Sequence, residues 1–136
     1  MLKFTYTETG LSLEYLTQPW EEWIALRVIL SVRAGQPLLV ERGSASLLFP
    51  MEWVDRRSLE ASLQQEPSET VHISVCDADS FEVSLQGTWI TSQPDEPEGV
   101  FIATLSPDNE GLLFDLWQDI QNRRSFLPNT RSTRRL

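Results

Sequence analysis

The chain has 136 residues, 40% of them apolar, and 20 acidic against 11 basic side chains give a net charge of −9. That length suits one domain with its own core, and the apolar share excludes wholesale disorder. No run of about 18 apolar residues is present to span a membrane, the opening hexapeptide lacks the apolar stretch of a secretory signal, and the single cysteine, Cys76, permits no internal disulfide; the expected compartment is a reducing cytoplasm.

Residues 2–17 read as a hairpin. Leu2, Phe4 and Tyr6 alternate with Lys3, Thr5 and Thr7, Thr9-Gly10 turns the chain, and Leu11, Leu13 and Tyr15 alternate with Ser12 and Glu14. After the break at Gln18-Pro19, Trp20 to Arg33 shows no clean apolar face on a helical wheel. Leu26, Val28, Leu30 and Val32 do alternate with Arg27, Ser31 and Arg33, which predicts a short turn at Trp20-Glu21-Glu22 and then a strand. Ala34-Gly35-Gln36-Pro37 turns the chain again. Leu38 to Phe49 is extended, with a bend or bulge expected where Gly43 interrupts it.

Pro50 ends that strand. A short helix follows, about Asp55 to Gln64, with Leu59 and Leu63 one turn apart. Val71, Ile73 and Val75, then the turn Asp77-Ala78-Asp79-Ser80, then Phe81, Val83 and Leu85 form a second hairpin whose far strand runs past Gly87 to Trp89 or Ile90. Residues 93–99 are an acidic, proline-punctuated loop. Val100 to Leu105 is a strand, and from Pro107 a helix carries Leu112, Leu113, Leu116, Trp117 and Ile120 on one stripe. Ser106 is placed to cap that helix, and Asp108 and Glu110 suit the positive end of its dipole.

These elements predict an α+β fold, an antiparallel sheet covered on one face by helices. A short helix follows about four strands and a longer C-terminal helix follows about three more. The domain spans residues 1–122, and residues 123–136 form an arginine-rich tail. All 20 acids and six of the basic residues precede Arg123, a body of −14; Arg123, Arg124, Arg131, Arg134 and Arg135 give the tail +5. Such a body repels phosphate backbones, while the tail suits an acidic partner or, through weak and salt-sensitive attachment, nucleic acid or an anionic membrane.

No constellation for catalysis stands out. His72 and Cys76 share one face of a predicted strand, but three or four convergent ligands are needed for zinc or copper, so neither metal nor cofactor is expected. Asp77-x-Asp79 lacks the glycine and the twelfth acidic ligand of a calcium loop and reads as an Asx-type turn. Gly43-Ser44-Ala45-Ser46 is no nucleophile elbow, and the six glycines make no phosphate cradle. Twenty acids supply pairs enough for carboxylate chemistry, yet no spacing selects one. Trp117 and Trp89 fit the core. Trp20, Trp23 and Trp53 sit at element boundaries, where a tryptophan either anchors an interface or plugs the end of a small core.

The opening eleven residues, Met1-Leu-Lys-Phe-Thr-Tyr-Thr-Glu-Thr-Gly10-Leu, with Glu22-Trp-Ile-Ala-Leu-Arg-Val-Ile-Leu30 and Gly35-Gln-Pro-Leu38, resemble small cyanobacterial proteins of uncharacterised function over the first third of the chain. That resemblance implies a cyanobacterial cytoplasm and no particular activity. Leu48-Phe49-Pro50 with Leu59 and Leu63 also echoes Leu105-Ser106-Pro107 with Leu116 and Ile120, and such a strand–helix duplication is similar in plan to the Whirly and PC4-like single-stranded-DNA-binding fold. The lysine-rich motif of that family has no counterpart here. The expected function is therefore a non-catalytic protein-interaction module, an assembly or regulatory factor whose contacts are Trp20, Trp23, Trp53 and the five tail arginines, with self-association among the options. The alternative is a single-strand nucleic-acid binder with Arg27, Arg33 and Arg42 on the outer sheet face.

Overall fold

A computed structural model describes residues 1–92 and 99–125. The element order is β1 (Leu2–Thr7), β2 (Gly10–Tyr15), α1 (Trp20–Ala34), β3 (Leu39–Pro50), α2 (Arg56–Leu63), β4 (Val71–Val75), β5 (Ser80–Thr91), β6 (Gly99–Ala103) and α3 (Pro107–Ser125). The fold is α+β with an antiparallel sheet of six strands and three helices, the C-terminal one the longest. The segment Trp20 to Arg33, expected as a short turn at Trp20-Glu21-Glu22 and then a strand, is instead helix α1, so three strands rather than four precede α2.

The strands run in the order β2-β1-β6-β5-β3, and β4 pairs with β5 beside β6. Both local hairpins form as their alternation requires: Phe4 faces Leu13 across β1–β2, and Ile73 faces Val83 across β4–β5. Asp77 makes the turn between β4 and β5, its carboxylate accepting from the backbone N–H groups of Asp79 (2.7 Å) and Ser80 (2.9 Å). Closure is long-range, because β1 pairs with β6, Phe4 opposite Phe101.

β3 and β5 stay in one-to-one register from Leu39–Thr91 to Pro50–Ser80, so the bulge expected at Gly43 is absent. The glycine serves another purpose. A Cβ at Gly43 would lie 2.8 Å from Trp89 Cδ1, and the indole Nε1 donates to the Ser44 carbonyl at 3.1 Å.

One sheet face carries the main core, with Leu2, Phe4, Leu47, Phe49, Phe81, Val83, Leu85 and Phe101 fully enclosed. Leu59 and Leu63 of α2 and Leu113 and Ile120 of α3 close over it. Asp55 caps α2 by accepting from Arg57 N–H (3.0 Å), and Ser106 Oγ accepts from Asn109 N–H (3.4 Å) at the start of α3. The opposite face has a smaller core of Trp23, Ile90 and Ile102. Helices therefore cover both faces, not one, and α1 lies alone on the second. α3 also runs to Ser125, three residues into the segment expected as a tail.

Candidate interaction surface

α1 begins after Pro19, whose φ of −57° leads into the first turn and whose carbonyl accepts from Trp23 N–H at 3.0 Å. It ends at Gly35, which takes the left-handed conformation (φ 69°) that a glycine adopts without a Cβ penalty. Between those stops, only its first half is anchored. Trp23 is 4% exposed against Ile90 and Ile102, with Trp20 and Ile24 partly buried beside it. Trp20 stacks on Trp23 at 6.0 Å, and the Arg27 guanidinium (4.8 Å) and Lys3 ammonium (5.9 Å) lie over the Trp23 ring.

From Ala25 to Ala34, every residue except Ser31 is exposed. At 3.6 residues per turn, Trp20, Trp23, Ile24, Arg27 and Ser31 form the inward stripe, Ala25, Leu26, Ile29 and Val32 point away from it, and Val28 and Leu30 project from opposite flanks. Leu26 (48%), Ile29 (48%), Leu30 (49%) and Val32 (75%) are open to solvent, as is Val28. Val40 on β3 is exposed too; it pairs with Ile90 and so points to the α1 side of the sheet. Glu21 and Glu22 stand at one end of this apolar face and Arg33 at the other.

Of the residues singled out in the sequence, Trp20 is partly buried on the inward side of α1 and Trp23 is buried beneath the helix. Trp53 lies far along the chain, after β3, half-buried on the main core, with the Arg123 guanidinium 5.7 Å from its ring; Arg123 Nε also pairs with Asp119 at 3.2 Å. Arg124 falls in α3, while Arg131, Arg134 and Arg135 lie outside the described residues. Arg27 and Arg33 belong to α1 rather than to a sheet face, so the arrangement expected with Arg42 on one outer face is not formed. The apolar residues of α1 were the missed surface. Their signal was an apolar run with no polar face to offset it.

Beyond α1, toward the β4 end of that sheet face, polar side chains gather around Glu82. Its Oε1 accepts from Ser46 Oγ (2.6 Å) and Ser84 Oγ (3.1 Å), and its Oε2 from Cys76 Sγ (3.6 Å). His72 sits opposite Ser84 in the β4–β5 register. The serine hydroxyls serve a carboxylate acceptor here, which ties strands together. Among the described residues, no three His, Cys, Asp or Glu side chains gather as metal ligands. An open depression of about 410 Å³ lies between β4 and β6, with Arg42, Glu69, Gln86 and Thr104 on its walls. No helix among the described residues is long and apolar enough to cross a membrane.

The family model described as Alr0857-like matches residues 1–121. No curated protein matches this chain, and neither does any solved structure.

Proposed function

Because this chain belongs to the Alr0857-like family, named for an uncharacterised cyanobacterial protein, we propose its function from its surface: a non-catalytic protein-interaction module, an assembly or regulatory factor of the cyanobacterial cytoplasm, that docks through the outer face of α1. The supporting observation is the solvent-exposed outward row Leu26, Ile29 and Val32, with Val28 and Leu30 exposed on its flanks, on a helix held to the sheet by its other half. The largest apolar patch on a protein surface, typically a few hundred Å², is often where something binds. Burying such side chains contributes roughly 25 cal/mol per Å² of apolar surface, enough to reward a partner. Charged residues flank the patch rather than interrupt it, as at the rim of an interface.

The test is cross-linking of the full chain in a cyanobacterial lysate, beside the variant Ile29→Glu. The substitution is at an exposed position and leaves the anchoring half of α1 intact. A cross-linked species formed by the parent chain, whether to another protein or to itself, and lost in the variant is the expected result. Identical cross-linking by the two chains, or none by either, defeats the reading.

A further inference from the structure

We propose that the occupant of this face is a second copy of the chain, the two α1 helices packing antiparallel about a two-fold axis; the proposal rests on the interaction reading above and names its partner. Charge and apolar pattern select one register. Placing the axis between Arg27 and Val28 sets Leu26 of one copy against Ile29 of the other. The same register sets Glu22 against Arg33, and both pairings occur twice by symmetry. Ala25 lies on the flank of this seam, and its small side chain lets the helices approach closely. A parallel pair would instead put Glu21 and Glu22 against the same acids. Antiparallel packing also sets each helix N-terminus beside the other's C-terminus, the favourable order for their dipoles.

Leu26, Ile29 and Leu30 are 48%, 48% and 49% exposed, which amounts to roughly 250 Å² of apolar surface per copy, about a third of one partner's share in a standard interface. An interface this small makes a weak, transient dimer.

Sedimentation equilibrium of the full chain, from about 1 to 100 μM, reads the association directly. The expected result is a mass that doubles across this range, a dimer weakened at least about tenfold by Ile29→Glu, and a charge-reversal pattern specific to the register. Glu22→Arg alone and Arg33→Glu alone each weaken the dimer by roughly fivefold, and the double reversal restores it to within about twofold. All three positions are exposed, so circular dichroism of each variant verifies an unchanged fold. A chain monomeric throughout overturns the proposal, as does a dimer indifferent to Ile29→Glu or a double reversal weaker than either single one. A monomer that floats with anionic phospholipid vesicles also overturns it and assigns the face to lipid. A monomer that still cross-links a different protein through Ile29 removes the dimer and leaves the interaction reading standing, whereas neither dimer nor Ile29-dependent cross-link removes both.

Discussion

Glu66 and Glu110 tie the first turn of α3 to distant parts of the chain. Glu66, in the turn after α2, accepts from Ser106 N–H (2.6 Å) and from Asn109 Nδ2 (2.8 Å). Burial pushes its carboxyl up, but the hydrogen bonds from Ser106 and Asn109 together outweigh that and hold it below the ordinary glutamate range. A depressed folded value means the ionised form favours folding. The contribution is complete above the ordinary glutamate value of about 4.3 and is lost as pH falls through the folded value. Glu66→Gln keeps an acceptor and removes the charge. The parent chain is expected to exceed it by no more than about 1 kcal/mol at pH 7, since solvent screens the site, with the gap closing below about pH 4. Urea unfolding of both chains across that range measures it, and a gap that widens in acid contradicts the account. Glu110, 7% exposed, accepts from the Met1 amine and from Leu105 N–H, each at 3.0 Å. Local pattern marked Glu110 as a residue that suits a helix N-terminus. It could not reveal the amine, because that partner lies 109 positions away and is brought near only by sheet closure.

At the level of elements, the hairpins and α3 were legible because each has one buried and one wet face, so its period shows in the residues. α1 was not. Its inward stripe of Trp20, Trp23 and Ile24 is short, and its outward side is as apolar as a core. The helical period is thereby erased, and the accidental alternation of Leu26, Val28, Leu30 and Val32 is what remains. The lost period and the proposed docking surface have the same origin. β5 shows a different limit: pairing with β4 spans Phe81–Leu85 and pairing with β6 spans Thr88–Ile90, so Gly87 falls at the changeover. A Cβ there would meet Ile102 O at 2.2 Å and Phe101 Cζ at 2.7 Å. Gly87→Ala is therefore expected to cost roughly 2–3 kcal/mol, by forcing β6 away from β5. Gly35→Ala separates backbone strain from collision: Gly35 is left-handed (φ +69°) with nothing within 4 Å of its added Cβ, so only about 1 kcal/mol is expected. Urea denaturation ranks the two, and an equal or reversed order would rule out the collision.

The whole molecule has two cores of unequal size on opposite faces of one sheet. The large one is sealed by α2, α3 and all six described strands, while the small one is centred on Trp23, Ile90 and Ile102. Opening α1 would expose little beyond that small core and leave the β1–β6 and β3–β5 ladders paired, so its free energy must fall well below that of global unfolding. Native-state hydrogen exchange is expected to show this order. In dilute chain, amides of α1 exchange through a sub-global opening, those of Ala25–Ala34 fastest, while β5 and the buried side of α3 exchange only by complete unfolding. Self-association through α1 adds a linked effect, because a contact that only the closed helix can make raises the cost of opening it. Protection of α1 should then grow with chain concentration, that of β5 should change much less, and Ile29→Glu should abolish the growth. Exchange of α1 at the same rate as β5 would mean that the sheet and its lone helix unfold as a single unit, and that the two faces are energetically one.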